Sequence, residues 1–334
     1  MDPPYDSNGF ARVVTRDAGP KCAEKVKKGL QTMFNLVQSD KGREEVSKSF
    51  RLCKGLKSAS EGEELVAWTS SAWDYLAMGD FPYSSRYVQP DGGLLPAYPV
   101  KAACDLVVAA ANPVRGLVMA ADMFYNATKN KKCFFNDGGK KKSTVLMASR
   151  SKTKFGMSAS RPCEGTWDWQ WCTEHSMPFT SGTDKDMFYP PTGPFDPVQV
   201  AKECKAQWGV EPNPFWARIT YGGLKGLRLG LRNVVFSNGL LDPWSAGGVL
   251  DTRGFHSSVV KVLIPHGAHH LDLMFSHKDD PADVVIARKV ELKHIAKWIF
   301  EAKRRSATLL NSSDNAEDVV VLSNADGWGT IAEA

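Results

Sequence analysis

Two short segments near the C-terminal end of the chain each lead to a residue that could take part in proton transfer. Residues 234–236 (Val-Val-Phe) precede Asp242, and residues 260–264 (Val-Lys-Val-Leu-Ile) precede His269. About 20 residues separate the two segments, which is enough for the crossover that parallel strands require. A carboxylate beside an imidazole holds it in one tautomer and stabilises the imidazolium that proton transfer creates. The spacing therefore predicts the last two members of a Ser…Asp…His triad at the end of a parallel sheet.

These residue types also allow other interpretations. A strand-end aspartate commonly caps a turn, and a loop histidine often only satisfies local hydrogen bonds. His266, His269, His270 and Asp272 could form a metal site, but a loop His-x-x-His and an adjacent His pair match no recognised ligand frame. We therefore predict neither a metal nor a cofactor.

The nucleophile of such a triad is missing from the sequence. A serine hydrolase of this kind places its serine in a G-x-S-x-G elbow beside an amide donor for the oxyanion. The nearest approach, residues 156–160 (Gly-Met-Ser-Ala-Ser), lacks the second glycine and a preceding apolar strand. Ser245 lies too near Asp242 in sequence to form the elbow. We expect that the chain alone cannot complete the chemistry.

Composition sets limits on the class of protein. The 334 residues are 43% hydrophobic and 24% charged, with a net charge of +5, which does not favour a nucleic-acid or membrane partner. No segment approaches the roughly 20 apolar residues of a membrane-spanning helix. The N-terminus lacks the features of a secretory signal, which indicates the cytosol unless the true N-terminus lies upstream.

Cysteines and glycosylation sequons favour a secretory route instead. The seven cysteines are widely spaced and contain no Cys-x-x-Cys pair. Sequons begin at Asn126 and Asn311, and we predict glycosylation at Asn126. Together these features favour a secretory route of synthesis.

The elements that must position these residues fall into a helical part followed by a mixed part. Apolar periodicity predicts a helix that opens at Pro20 and includes Val37, then helices over 44–53, 63–78, 99–111 and 117–126. After residue 167 we expect short strands separated by turns. A last helix is predicted from Asp280 and Pro281 to about residue 305, with a buried stripe. The stripe consists of Val285, Leu292, Ile295, Ile299 and Ala302.

A basic stretch separates the two parts. Residues 129–161 contain ten Lys or Arg residues and one acid, Asp137. The cluster could collect an anionic partner, or it could be a solvated loop between modules. The loop is the better interpretation because Phe134, Phe135 and Phe155 do not alternate with the basic residues. No nucleic-acid partner is predicted.

Two sequence blocks around the candidate acid and histidine resemble those of a known family. They are residues 238–248 (Asn-Gly-Leu-Leu-Asp-Pro-Trp-Ser-Ala-Gly-Gly) and 267–273 (Gly-Ala-His-His-Leu-Asp-Leu). Further segments that resemble landmarks of this family lie earlier in the chain and have the same order as in the family. They are residues 80–83, 95–101, 167–174, 186–188 and 208–210. The chain resembles the post-proline serine exopeptidase family, which comprises lysosomal Pro-X carboxypeptidase, dipeptidyl peptidase 2 and related thymus-specific peptidases. The resemblance extends from about residue 6 to 305.

The resemblance implies an α/β class fold, an α/β-hydrolase domain with an inserted helical cap. It places the cap at residues 1–145 and the C-terminal part of the hydrolase domain at 146–305. Residues 306–334 contain five acids and no base, and from this composition we expect a largely disordered tail. The early strands, the elbow serine and the oxyanion donors would lie upstream of Met1. The domain in this chain would then be incomplete.

The resemblance also implies residue roles. Asp242 matches the triad acid and His269 the general base. The cysteine pairs would be Cys22 with Cys104, Cys53 with Cys133, and Cys172 with Cys204, which leaves Cys163 over.

Proline-containing peptides are the substrates that the resemblance implies. The opening motifs favour the dipeptidyl peptidase 2 branch, which removes N-terminal X-Pro dipeptides. Pro-X carboxypeptidase activity and a non-catalytic peptide-binding protein are the alternatives. An acid that binds the substrate amine would distinguish the first branch, and Glu174, Asp184 and Asp186 are candidates, although turn or cap roles suit each. A homodimer is left open as an oligomeric state.

Overall fold

The computed structural model describes residues 7–135, 166–175, 179–213 and 215–313. Compactness divides the chain into two units, residues 1–289 and residues 290–334. The predicted boundary at 145/146, most of the basic stretch, Cys163 and the 156–160 segment lie outside the described residues. The division into a cap and a hydrolase part therefore stays a prediction.

The N-terminal part of the first unit is helical, as the apolar periodicity predicts. Its six helices are α1 (Gly9–Ala18), α2 (Pro20–Val37), α3 (Asp40–Ser49), α4 (Ala59–Met78), α5 (Pro99–Ala109) and α6 (Pro113–Tyr125). The sequence did not predict α1. Ser39, Ser58 and Asn112 cap α3, α4 and α6 by accepting a backbone amide hydrogen bond.

A single apolar cluster holds these helices together. The buried face of α2 presents Val26, Leu30, Met33 and Val37, which are fully buried. Their three- and four-residue spacing places them on one side of the helix. Trp73 of α4 lies in the same cluster and is also fully buried.

Among the described residues of this unit, three disulfides stabilise the fold. The bonded pairs are Cys22 with Cys104, Cys53 with Cys133, and Cys172 with Cys204. This is the pairing that the family resemblance implies. The first two close long chain segments within the helical part, so they limit the freedom of its unfolded state.

The following part contains fewer strands than expected. Its helices are α7 (Thr166–Gln170), α8 (Pro197–Trp208), α9 (Trp216–Tyr221) and α10 (Gly223–Gly230), and its strands are β1 (Val234–Gly239) and β2 (Val259–Ile264). The expectation of several short strands is wrong for the described residues. Asp196 and Pro197 provide the start signals of α8, because the Asp196 side chain accepts two amide hydrogen bonds there.

The two predicted strands pair in parallel. Val234 lies opposite Val259, and Gly239 lies opposite Ile264. Their carboxyl ends therefore meet at one edge, where the Asp242 and His269 loops begin. Parallel strands together with helices agree with the predicted α/β class.

The last helix, α11 (Ala282–Ser313), extends beyond the predicted end at residue 305. The predicted buried stripe is wrong, because Val285 is 37% exposed and Leu292 is 66% exposed. Val284 and Ala287 are buried in its place. Helical spacing identifies a face but not which apolar residues find a partner. Residues 314–334 of the predicted tail lie outside the described part.

None of the helices in the described ranges is long and apolar enough to cross a membrane.

Candidate active site

Asp242 lies three residues after β1 in a loop whose backbone is fixed by the neighbouring strand end. Leu240 donates its amide hydrogen to the Ile264 carbonyl, and Leu241 donates to the Gly267 carbonyl at 3.0 Å. Asp242 itself begins the short 3₁₀ turn Pro243–Gly247, and its Oδ1 accepts the Trp244 amide at 2.9 Å. One carboxylate oxygen thus caps the turn, and the other is free for a second partner.

That second partner is His269. Its Nδ1 lies 2.8 Å from Asp242 Oδ2. Both side chains are largely buried, with exposed fractions of 16% for His269 and 11% for Asp242. Since the carboxylate only accepts, Nδ1 carries the proton and Nε2 is left with a free lone pair. Within the described residues Nε2 forms no hydrogen bond.

One of the N-terminal helices, α4, takes part in placing the histidine. The His269 amide donates to the carbonyl of Met78, the last residue of α4, at 3.2 Å. The Trp244 indole Nε1 lies 3.1 Å from the sulfur of the same methionine. Met78 therefore connects the end of α4 to both loops, a role that its sequence gave no signal for.

A glycine contact sets the distance between the two loops. A Cβ atom on Gly239 would lie 2.4 Å from the Gly267 carbonyl oxygen and 2.9 Å from that of Ala268. Only glycine permits this approach, which brings the loop after β1 against the loop that carries His269.

Aromatic rings surround the pair. The rings of Tyr87 and Trp244 lie 6.2 and 6.3 Å from the His269 ring, centroid to centroid. Phe10 and Phe179 contact Trp244 edge to face. Burial, together with the charge of Asp242, raises the pKa of the Tyr87 hydroxyl. The acid–histidine pair therefore lies in partly dehydrated, ring-lined surroundings, in which charges interact more strongly than they do in water.

His270 does not reach the acid. It adopts a left-handed backbone conformation with φ of 58°, and its ring lies 3.6 Å from that of His269. Burial, followed by the charge of His269, lowers the pKa of His270, and Asp242 and Asp272 oppose this shift. His270 is thus biased towards the neutral form.

The residues that were considered as metal ligands contact different partners. His266 contacts Asp283 with 3.2 Å between Nδ1 and Oδ2, and Asp272 accepts a hydrogen bond from the Ser237 hydroxyl at 2.7 Å. Across the described ranges, no group of three or more metal-ligating side chains comes together.

Asp186, one of the candidate acids for a substrate amine, has a structural role. Asp186 is 3% exposed, and its carboxylate accepts hydrogen bonds from Asn8, Thr183, Gly182 and Phe188. Burial opposes ionisation, but these donors lower the pKa of Asp186 overall. Its oxygens are therefore occupied rather than available to a substrate amine.

Asn126, the predicted glycosylation site, is only 4% exposed. Its Nδ2 donates to Asp122 at 3.0 Å, and its Oδ1 accepts the Lys131 amide at 2.8 Å. Glycosylation there stays a prediction, and the burial of the amide does not favour it.

Comparison with known proteins agrees with this geometry. The family model described as serine carboxypeptidase S28 matches residues 4–291. The chain belongs to this family of serine peptidases. It is 34% identical over 298 residues to human "Lysosomal Pro-X carboxypeptidase", an alignment that covers 87% of this chain and 54% of the human protein.

Two further relatives give a similar result. The bovine protein of the same name is 33% identical over 299 residues, covering 87% of this chain and 54% of the relative. "Prolyl carboxy peptidase like protein 5" of Caenorhabditis elegans is 32% identical over 307 residues, covering 88% and 57%. The chain spans about half the length of the curated relatives it matches.

Proposed function

We propose that this chain is part of a serine exopeptidase that cleaves peptides next to proline, with Asp242 as the triad acid and His269 as the general base. The observation that carries the proposal is the 2.8 Å contact between Asp242 Oδ2 and His269 Nδ1, with Nε2 unoccupied by any described residue. That is the arrangement in which an imidazole can accept the proton of a serine hydroxyl.

In the proposed mechanism His269 Nε2 removes the proton from the attacking serine and then delivers it to the leaving amine. Asp242 keeps the ring in one tautomer and stabilises the imidazolium between these two transfers. The Trp244 amide and the Met78 carbonyl fix the two groups, so little reorganisation is needed.

We propose that the serine and the oxyanion donors are supplied by polypeptide outside these 334 residues. The absence of a G-x-S-x-G motif and the half-length match to the relatives support this proposal. Exposed apolar side chains support it as well. In α9 and α10 no residue is buried, and Ile219 and Leu229 are 73% and 71% exposed. The chain alone is then inactive.

Proline fits the surroundings of the pair. The flat face of a pyrrolidine ring packs well on aromatic rings, and Trp244 presents such a ring beside His269. The side chains beside His269 are aromatic, so burying a proline ring against them is favourable, because that ring is apolar and its nitrogen carries no amide hydrogen.

Between the two branches of the family, two observations favour a Pro-X carboxypeptidase. The mammalian relatives that match the chain carry that name. The dipeptidyl peptidase activity requires an acid for the substrate amine, and of the three candidates Asp186 is saturated by internal donors, which leaves Glu174 and Asp184. The dipeptidyl peptidase 2 activity, favoured by the opening motifs, is the second candidate.

A peptide assay on the protein purified from its native source tests the proposal. One substrate ends in Pro-Phe and has a blocked amine, and the other begins with a free Ala-Pro dipeptide. We expect release of the C-terminal Phe from the first. Release of Ala-Pro would favour the dipeptidyl peptidase, and cleavage of neither would contradict the proposed function.

The site of action follows from the same relationship. The names of the mammalian relatives contain the word "lysosomal". The three disulfides of the described residues require an oxidising compartment during synthesis. We propose a lysosomal or secreted protein.

A further inference from the structure

The His269 loop is held from behind by one side chain of α11. The Arg288 guanidinium donates through Nη2 to the Leu271 carbonyl at 2.7 Å and through Nε to the Asp272 carbonyl at 2.8 Å. These two carbonyls lie two and three residues after His269. A planar guanidinium can hold both at once, whereas an ammonium group presents a single nitrogen.

The guanidinium is itself held in orientation. Its Nη1 lies 2.5 Å from Asp280 Oδ2, and this carboxylate is almost fully buried, with 1% of its side chain exposed. The Asp280 carboxylate also accepts the His277 amide at 2.8 Å. Burial opposes ionisation of Asp280, but the His277 amide and the Arg288 charge lower its pKa overall. The ion pair is therefore present across the neutral range.

The loop needs such support. His270 has a left-handed backbone conformation, which is strained for a residue other than glycine and persists only when its surroundings impose it. On the other side of His269, the His266 amide donates to Asp283 of α11 at 2.8 Å. The histidine is thus bracketed by the first turns of one helix.

We propose that Arg288 is a positioning residue that holds the His269 ring against Asp242 by fixing the carbonyls of Leu271 and Asp272. The inference deepens the proposed function, since it relies on His269 being the base. Arg288 touches neither the imidazole nor a reacting atom, so it acts through the backbone alone.

The test measures the Asp242–His269 hydrogen bond itself, in the full chain with ¹⁵N-labelled histidine. The probe is the exchange rate of the His269 Nδ1 proton, whose NMR signal is identified by its loss in His269→Ala. We expect at least a tenfold faster exchange in Arg288→Met and a smaller increase in Arg288→Lys. Lys289→Met, which removes one charge at the next, exposed position of the same helix, should keep the wild-type rate.

A merely structural role would give a different result. Arg288→Met would then lower the melting temperature and leave the Nδ1 exchange rate unchanged, which overturns the proposal. Should Arg288→Met fail to fold, Asp280→Asn decides, because it keeps the guanidinium but removes the charge that orients it. Faster exchange in Asp280→Asn supports the proposal, and a wild-type rate contradicts it. The readout does not depend on peptidase activity, so a failure of the proposed function would leave it interpretable.

Discussion

At the residue scale, Asp242 serves two purposes with its two oxygens. Oδ1 caps the Pro243–Gly247 turn, and Oδ2 holds His269. A turn cap and a partner for a histidine are usually alternatives for a strand-end aspartate, but here one carboxylate makes both contacts. The sequence could predict Asp242 and His269 because both follow β-branched runs that form strands.

Replacing Asp242 by asparagine removes the charge of the side chain but keeps the oxygen that caps the Pro243–Gly247 turn. We expect Asp242→Asn to keep the amide contact at Trp244, because the side-chain amide oxygen still accepts. The hydrogen bond from His269 Nδ1 loses its charged acceptor, so the free energy of unfolding should fall by about 2 kcal/mol. Urea denaturation measures this. Asp279→Asn, at a half-exposed position, is the control and should change stability by less than about 0.5 kcal/mol.

Asp80 is another buried carboxyl; it follows α4 and contacts the first turn of α5. Its Oδ1 accepts the Val100 amide at 3.0 Å. Burial raises the pKa of Asp80 to about 7, the Val100 hydrogen bond opposes this shift, and the nearby Asp17 charge adds to it. The folded protein therefore binds this proton more tightly than the unfolded chain does.

The consequence is a stability that depends on pH. The contribution of the Asp80 proton is fully present below the ordinary pKa of 3.8 and is lost as the pH rises through about 7. Asp80→Asn does not titrate and still accepts from Val100. The free energy of unfolding of Asp80→Asn, relative to that of the wild type, should rise by on the order of 3 kcal/mol from pH 4 to pH 8. Chemical denaturation at both pH values measures this difference. A difference that is constant across this range would contradict the assignment, and exposed Asp105→Asn serves as the control.

At the element scale, the approach of two loops at one sheet edge creates the site. Gly239, the last residue of β1, makes the closest contact, since its Cβ would lie 2.4 Å from the Gly267 oxygen. The pairing of β1 with β2 sets the register, and the glycine sets the spacing.

A methyl group at residue 239 should therefore disturb the acid–histidine contact. We expect Gly239→Ala to push the loop that carries His269 away, with faster exchange of the His269 Nδ1 proton and a loss of stability of about 2 kcal/mol or more. Gly230→Ala, at the end of α10, is the matched control because its Cβ meets no atom within 4 Å. Equal effects of the two changes would argue against a specific spacing role.

Of the helices in the described residues, the sequence predicted six, α2–α6 and α11, from helical spacing and start signals, and it predicted the parallel pair from two β-branched runs. It missed α1, and it missed α7–α10 because short strands and turns were expected after residue 167. The contacts of Met78 and Arg288 could not be predicted, since they join carbonyl groups or side chains that lie far apart in the chain. The stripe predicted for α11 was wrong because several apolar residues on that face have no partner in the described structure.

At the scale of the whole molecule, the part that carries Asp242 and His269 has much less apolar packing than the helical part. In the described residues the helical cluster contains Trp73 and the fully buried face of α2, whereas Phe275 and Leu273 are 98% and 76% exposed. Apolar surface of this extent commonly marks a contact with further polypeptide.

The isolated chain should accordingly bind a hydrophobic dye such as ANS and hydrolyse no Pro-Phe or Ala-Pro peptide. Without a nucleophile only a residual rate from binding and electrostatics remains. Spectroscopic titration with the dye and a peptide assay on the purified recombinant chain check both expectations. Hydrolysis that persists after removal of host peptidases, and that disappears in His269→Ala, would contradict the absence of a nucleophile.

The central claim is that Asp242 and His269 await a serine outside the 334 residues. Labelling of the protein from its native source with a fluorophosphonate probe, followed by mass spectrometry of the labelled peptide, tests it most directly. We predict one labelled serine, in a G-x-S-x-G peptide that is absent from this sequence. A labelled serine within these residues, such as Ser158 or Ser245, or no labelling of the intact protein, would contradict the claim.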